Sequence, residues 1–185
     1  MEWKRFETLE YLMTGTGTDS ESELNNINPT NKPNKPIAFF DIDSTLITRP
    51  NGKSAIYTET NSDNWVWLGP VPLVLDIYKQ SGWTICFYTN QSRFVQAVRT
   101  KIENLVQDIF STYGWKPYVF VATSDSKKPD RFRKPNSGIL DWLGLTQNQL
   151  HPSSFMCGDG VGPDDFYIPY KWSDVDAKFA SNLSI

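Results

Sequence analysis

From Ile37 onward the chain alternates short contiguous apolar runs with longer stretches whose apolar residues recur at helical spacing. The runs Ile37–Phe40, Trp83–Tyr88, Tyr118–Ala122 and Phe155–Cys157 are too short for helices and lack a polar face, which predicts buried strands. Val71–Gln80 follows Gly69-Pro70 and carries Val74, Leu75, Ile77 and Tyr78, so it reads as a helix opened near a proline. Phe94–Tyr113 has the clearest helical period, through Val95, Val98, Ile102, Leu105, Val106, Ile109 and Phe110, and Gly114 stops it. Ser137–Leu143 reads as a short helix and Asp174–Leu183 as a terminal one. This order predicts an α/β fold, a mostly parallel sheet with helices on both faces.

Before Ile37 the pattern changes. Trp3, Phe6, Leu9, Tyr11 and Leu12 are interleaved with charges over Trp3–Met13, which suits an edge strand or a short docked segment. Thr14–Pro36 is rich in Thr, Asn, Ser, Gly and Pro and reads as a linker. The expected organisation is an N-terminal segment with its linker at 1–36, packing on or leading into the core, and a single domain over 37–185.

With 185 residues, 39% of them hydrophobic, the chain has enough apolar surface for one sizeable core. The formal net charge of −3 provides no global basic field, so any nucleic-acid contact must come from a local patch. The two cysteines, Cys86 and Cys157, sit in apolar runs without metal-ligand spacing, as expected of buried core residues in a reducing compartment. A single histidine, His151, argues against a histidine-based triad or a histidine-rich zinc site. No apolar run is long enough to cross a membrane and no signal core opens the chain. The expectation is a soluble intracellular protein, nuclear or cytoplasmic, that acts as a monomer.

Candidate chemistry gathers at the strand ends, where open α/β sheets place their sites. The first strand runs into Asp41 and Asp43, two carboxylates that are costly to hold together unless a cation or a reaction uses them. The second ends in Thr89-Asn90-Gln91, either an ordinary helix cap or a hydroxyl and amide set for a phosphate. The third leads into the basic run Ser126–Pro135, in part a solvated loop, of which Lys134 is the residue placed to balance a phosphate and nearby carboxylates. The fourth ends Gly158-Asp159-Gly160, a common turn composition that also suits an oxygen ligand for Mg2+. Each signal is modest singly. Together a carboxylate pair, a hydroxyl, a lysine and a further carboxylate suit phosphoryl transfer to an aspartate.

These residues make the chain resemble the haloacid dehalogenase superfamily, and more specifically the 3′-phosphatase domain of polynucleotide kinase/phosphatase. The resemblance is carried by Phe40–Ile47, Tyr88–Gln91, Val121–Thr123, Arg133–Gly138, Cys157–Gly162 and Trp172–Ala180. It implies a Rossmann-like haloacid dehalogenase fold with a minimal cap, here a hairpin or flap within Ile47–Leu68. It also implies removal of 3′-phosphate from DNA ends or nicks, as in DNA repair. Asp41 would be the nucleophile and Asp43 the acid/base. Mg2+ would be held by the Asp41 carboxylate, the Asp43 backbone carbonyl and Asp159, while Ser44, Thr89, Asn90 and Lys134 would bind the phosphate. Arg93, Arg99, Lys127, Lys128, Arg131 and Arg133 are the candidate DNA contacts, and Phe94, Phe132, Trp65 and Trp67 candidate stacking residues.

The chain departs from that pattern at Ser44, where the family has glycine, and in the acidic, aromatic stretch Pro163–Lys171, where it has basic residues. Asp164, Asp165 and Asp176 receive no role. No phosphate-binding Gly-x-x-x-x-Gly-Lys-Ser/Thr motif occurs, so no 5′-kinase domain is expected. The alternatives are a sugar- or histidinol-phosphate phosphatase of the same superfamily and a non-catalytic nucleic-acid-binding relative. The retained catalytic residue types oppose the second.

Overall fold

The computed structural model describes residues 1–13, 35–50, 64–125, 127–160 and 173–185. Residues 14–34 of the expected linker, 51–63 of the expected flap, and Asp164 and Asp165 lie outside the described residues. Strands β1 (Glu2–Phe6), β2 (Leu9–Met13), β3 (Ile37–Phe40), β6 (Thr84–Asn90), β7 (Tyr118–Ala122) and β8 (Phe155–Cys157) form one sheet in the order β1-β2-β7-β6-β3-β8. The pairs β7–β6, β6–β3 and β3–β8 are parallel, whereas β1–β2 and β2–β7 are antiparallel. The expected mostly parallel α/β sheet is therefore present. A two-stranded pair, β4 (Ile47–Thr48) with β5 (Val66–Trp67), forms the base of the insertion after β3.

The four residues of β3 are all buried, as strands covered on both faces must be. Their alternation divides the core. Ala38 and Phe40 pack with α1 (Val71–Gln80) and α2 (Gln96–Tyr113) through Leu75, Val98, Ile102, Leu105 and Ile109. Ile37 and Phe39 face α3 (Gly138–Leu143) and α4 (Val175–Leu183) through Ile139, Leu140, Phe179 and Leu183. From β3 the chain moves through β6 and β7 on one side and returns to β8 on the other. The order reverses at β3, which opens a crevice at the carboxyl ends of β3, β6 and β8.

The N-terminal segment is a hairpin, and its inner strand β2 continues the sheet beyond β7, so β1 is the edge on that side. Buried Glu10 on β2 receives two hydrogen bonds from Arg99, at 2.8 and 2.9 Å. Arg99 is thus committed to the fold. The cysteines divide: Cys86 is buried, but Cys157 is exposed, because β8 is the edge strand next to β3 and is only half covered.

Candidate active site

The crevice gathers side chains from the ends of β3, β6 and β8, from the loop before α3 and from the first turn of α4. Asp41 follows β3 directly, and its backbone N–H donates to the Cys157 carbonyl at 2.9 Å, which keeps the β8 end alongside. Ser44 turns the chain back with φ of +66° and donates its N–H to the Ile47 carbonyl at 2.9 Å. A left-handed backbone favours glycine, and a side chain there costs roughly 1 kcal/mol. Ser44→Gly is therefore expected to raise stability by up to about 1 kcal/mol, as read from urea unfolding.

The Lys134 loop is built around its own backbone. Asp130 Oδ1 accepts the N–H groups of Phe132 and Arg133 at 2.6 and 3.2 Å. The buried Tyr88 hydroxyl donates to the Phe132 carbonyl. Gly138 donates to the Arg131 carbonyl, and a Cβ at Gly138 would lie 2.5 Å from that oxygen, so the loop closes only on glycine. Asn90 completes the cradle: its Nδ2 donates to the Lys134 carbonyl at 3.0 Å and its Oδ1 accepts the Lys134 N–H at 2.9 Å. The Asn90 side chain thus fixes Lys134 in place.

The Lys134 side chain is almost fully buried, with Nζ 2.7 Å from Asp41 Oδ1 and 2.6 Å from Asp176 Oδ1. The other oxygen of Asp41 accepts no hydrogen bond among the described residues. Burial pushes the Asp41 carboxyl up to about 7, with Lys134 opposing and Asp176 reinforcing the rise. Burial alone would lower the Lys134 ammonium, but Asp41 and Asp176 outweigh it and hold it above its ordinary value. Asp159, half-buried, is also raised, first by burial and then by Asp176.

Asp176 is the residue that sequence reading left without a role. It sits in the first turn of α4, where its N–H donates to the Gly160 carbonyl at 2.8 Å and its Oδ2 accepts the Gly160 N–H at 2.9 Å. A Cβ at Gly158 would fall on the Asp176 carboxyl group, and one at Gly160 would come within 2.6 Å of Oδ2. The Gly-Asp-Gly segment is therefore a seat for Asp176 as well as a turn. Gly158→Ala is expected to push Asp176 off Lys134, to cost about 1–3 kcal/mol of stability and to lower turnover. Unfolding by urea together with a phosphate-release assay measures both.

One carboxylate oxygen from each of Asp41, Asp159 and Asp176 lies within 4.8 Å of the others. An all-oxygen, acidic donor set fits Mg2+. The Asp43 carboxylate points elsewhere: Oδ1 accepts from Lys101 Nζ at 2.7 Å and Oδ2 from Gln91 Nε2 at 2.6 Å. Gln91 also donates to the buried Thr89 hydroxyl at 3.2 Å. Asp41, Asp43, Thr89, Asn90, Lys134 and Asp159, all read from sequence, thus converge. Asp176, Lys101 and Gln91 complete the constellation. Gln91 stood in the Tyr88–Gln91 motif and Asp176 in the Trp172–Ala180 motif, whereas Lys101 gave no signal beyond a charge on an apolar helical face.

The candidate DNA contacts separate. Arg93, Lys127 and Lys128 are exposed. Arg131 pairs with Glu7 at 2.9 Å and lies over the Phe132 ring, and Arg133 donates to the Ser124 carbonyl at 3.0 Å. Phe132 is fully buried and is a core residue, which removes it from the stacking candidates. Phe94 packs edge-on against Trp3, and Trp67 donates to Asp108 while meeting Trp65 edge-on.

A model of the polynucleotide kinase 3 phosphatase family matches residues 36–185. Among solved structures the chain is similar to a HAD-like phosphatase from Mesorhizobium loti, at 16% identity, with 82% of this chain and 70% of that chain covered and a TM-score of 0.60. It is also similar to the D,D-heptose 1,7-bisphosphate phosphatase of B. bronchiseptica, solved with magnesium and phosphate. That match has 16% identity, 60% of this chain and 64% of that chain covered, and a TM-score of 0.50. These likenesses concern the fold and agree with the parallel sheet and its crevice. Matched over 36–185, the chain belongs to the polynucleotide kinase 3 phosphatase family, and its fold is shared with HAD-like phosphatases.

Proposed function

We propose that this protein is a Mg2+-dependent polynucleotide 3′-phosphatase that removes the terminal phosphate of DNA 3′ ends through an aspartyl-phosphate on Asp41. The observation that carries this reading is the buried Lys134 ammonium held between Asp41 and Asp176, with one Asp41 oxygen uncommitted among the described residues. That oxygen attacks the phosphorus. The bond from phosphorus to the 3′-oxygen breaks, and the leaving oxygen takes a proton from Asp43. Asp43, now a carboxylate, takes a proton from a water whose oxygen attacks the phosphorus. The bond to Asp41 breaks, inorganic phosphate leaves, and both carboxyl groups return to their starting state.

Lys134, the Thr89 hydroxyl and the Asn90 backbone N–H bind the phosphoryl oxygens and stabilise charge there. Asp41, Asp159 and Asp176 are the carboxylates that would hold Mg2+, whose charge offsets the repulsion between Asp41 and a dianionic phosphate. The Asp43 backbone carbonyl would be a further ligand. Arg93, Lys127 and Lys128 are exposed basic side chains in a chain of net negative charge and would contact the backbone of a polymer end.

The test is phosphate release from a 3′-phosphorylated oligonucleotide, single-stranded and nicked, with and without Mg2+. A 5′-phosphorylated oligonucleotide and a sugar-phosphate panel serve as controls. Mg2+-dependent release from the 3′ ends alone is expected. Release from sugar phosphates but not from the oligonucleotides would move the substrate to small molecules.

A further inference from the structure

We infer that Lys101, supported by Gln91, is a positioning residue that aims the Asp43 carboxyl for its two proton transfers. This inference rests on the proposed role of Asp43. Lys101 occupies α2 among Val98, Ile102 and Leu105, all buried against the sheet, and is itself 3% exposed. An apolar residue there would cost nothing, whereas a buried ammonium is tolerated only when paired. The carboxylate that Lys101 meets among the described residues is Asp43, 58 positions away in sequence. The ion pair therefore reaches from the middle of a packed helix to the one carboxyl group of the site that stands outside the Asp41, Asp159 and Asp176 group.

The geometry suits aiming. Lys101 takes Oδ1 and Gln91 takes Oδ2, so the plane of the carboxyl group is held from both sides. Each oxygen keeps a further lone pair, so a proton can sit on Asp43 without either contact breaking. Gln91 also bonds the Thr89 hydroxyl, which ties the carboxyl group to the end of β6. Proton transfer within a reaction demands such control, since a misplacement of about 1 Å costs on the order of 10²-fold in rate.

The experiment compares wild type with Lys101→Met on two esters in the presence of Mg2+. A 3′-phosphorylated oligonucleotide has an alkoxide leaving group that must take a proton. p-Nitrophenyl phosphate has a phenolate that leaves without one. On the oligonucleotide the variant is expected to lose about 10²-fold in kcat with little change in KM. On p-nitrophenyl phosphate it is expected to release a burst of about one nitrophenolate per active site at the wild-type rate, then to turn over slowly, because the water step still needs Asp43. Equal losses on both esters without a burst, or an unchanged kcat on the oligonucleotide, would overturn the inference. If Lys101→Met does not fold, Gln91→Leu, at a half-buried strand end, carries the same comparison with the same direction and a smaller loss. A wild type that hydrolyses only p-nitrophenyl phosphate would sink the DNA substrate, while the burst would still decide the role of Lys101. No turnover of either ester would remove both.

Discussion

Asp41→Asn is expected to lower release of phosphate from a 3′-phosphorylated oligonucleotide by about 10³-fold or more, equivalent to about 4 kcal/mol of barrier. The amide is close in shape to the carboxyl group but is no nucleophile, so the covalent step is lost while the site keeps its packing. Stability should change little, because burial already disfavours the charge of Asp41 and Lys134 retains Asp176 as partner. A steady-state assay on folded protein, with thermal unfolding as the control, measures both. Activity near the wild-type level would remove Asp41 from the chemistry and with it the aspartyl-phosphate.

Lys134→Met has the second large effect, and it falls on stability as well as turnover. Lys134 is buried between two carboxylates, and removal of one partner from a buried ionic group costs about 3–5 kcal/mol. The loss should depend on pH. Asp41 is held up to about 7 in the folded chain against 3.8 for the ordinary group. A carboxyl group raised on folding contributes stability that is present below its unfolded value and lost as pH rises through the folded one. Without Lys134 nothing opposes burial, and Asp41 and Asp176 repel each other, so Asp41 moves further up. The deficit of Lys134→Met relative to wild type should therefore be largest above pH 7 and shrink toward pH 4. Urea unfolding of both proteins without divalent cation across that range tests this, and a deficit independent of pH would contradict the electrostatic account.

Much of the site was legible in the chain because each strand end carries its chemistry within a few residues of an apolar run. Asp41 and Asp43 follow Ile37–Phe40, Thr89 closes Thr84–Asn90, and Asp159 follows Phe155–Cys157. Lys134 stood out as the last basic residue before a helix. Asp176 did not stand out, because an acidic residue in the first turn of a helix has an ordinary explanation in the helix dipole. Only the seat made by Gly158 and Gly160, and the ammonium of Lys134, give it another. Phe132 erred the other way: an aromatic residue in a basic run looked suited to stacking on a base, yet it fills the core. Cys157 looked buried because its neighbours are apolar, but β8 is an edge strand, and edge position is not written in a local pattern.

By itself the sequence determined the α/β class, the buried strands and helices, and the identity of the groups at the ends of β3, β6 and β8. These follow from periodicity and chain order, which act over a few residues. The tertiary structure alone decided how those groups pair. Lys134 meets Asp41 and Asp176 across 93 and 42 positions, and Lys101 meets Asp43 across 58. It also decided that the N-terminal hairpin lies beside β7, with Glu10 held by Arg99. The physical reason is that an apolar pattern states which face of an element is buried but not which element covers it. A buried charge, in turn, is stable only beside the particular partner that the completed sheet brings to it.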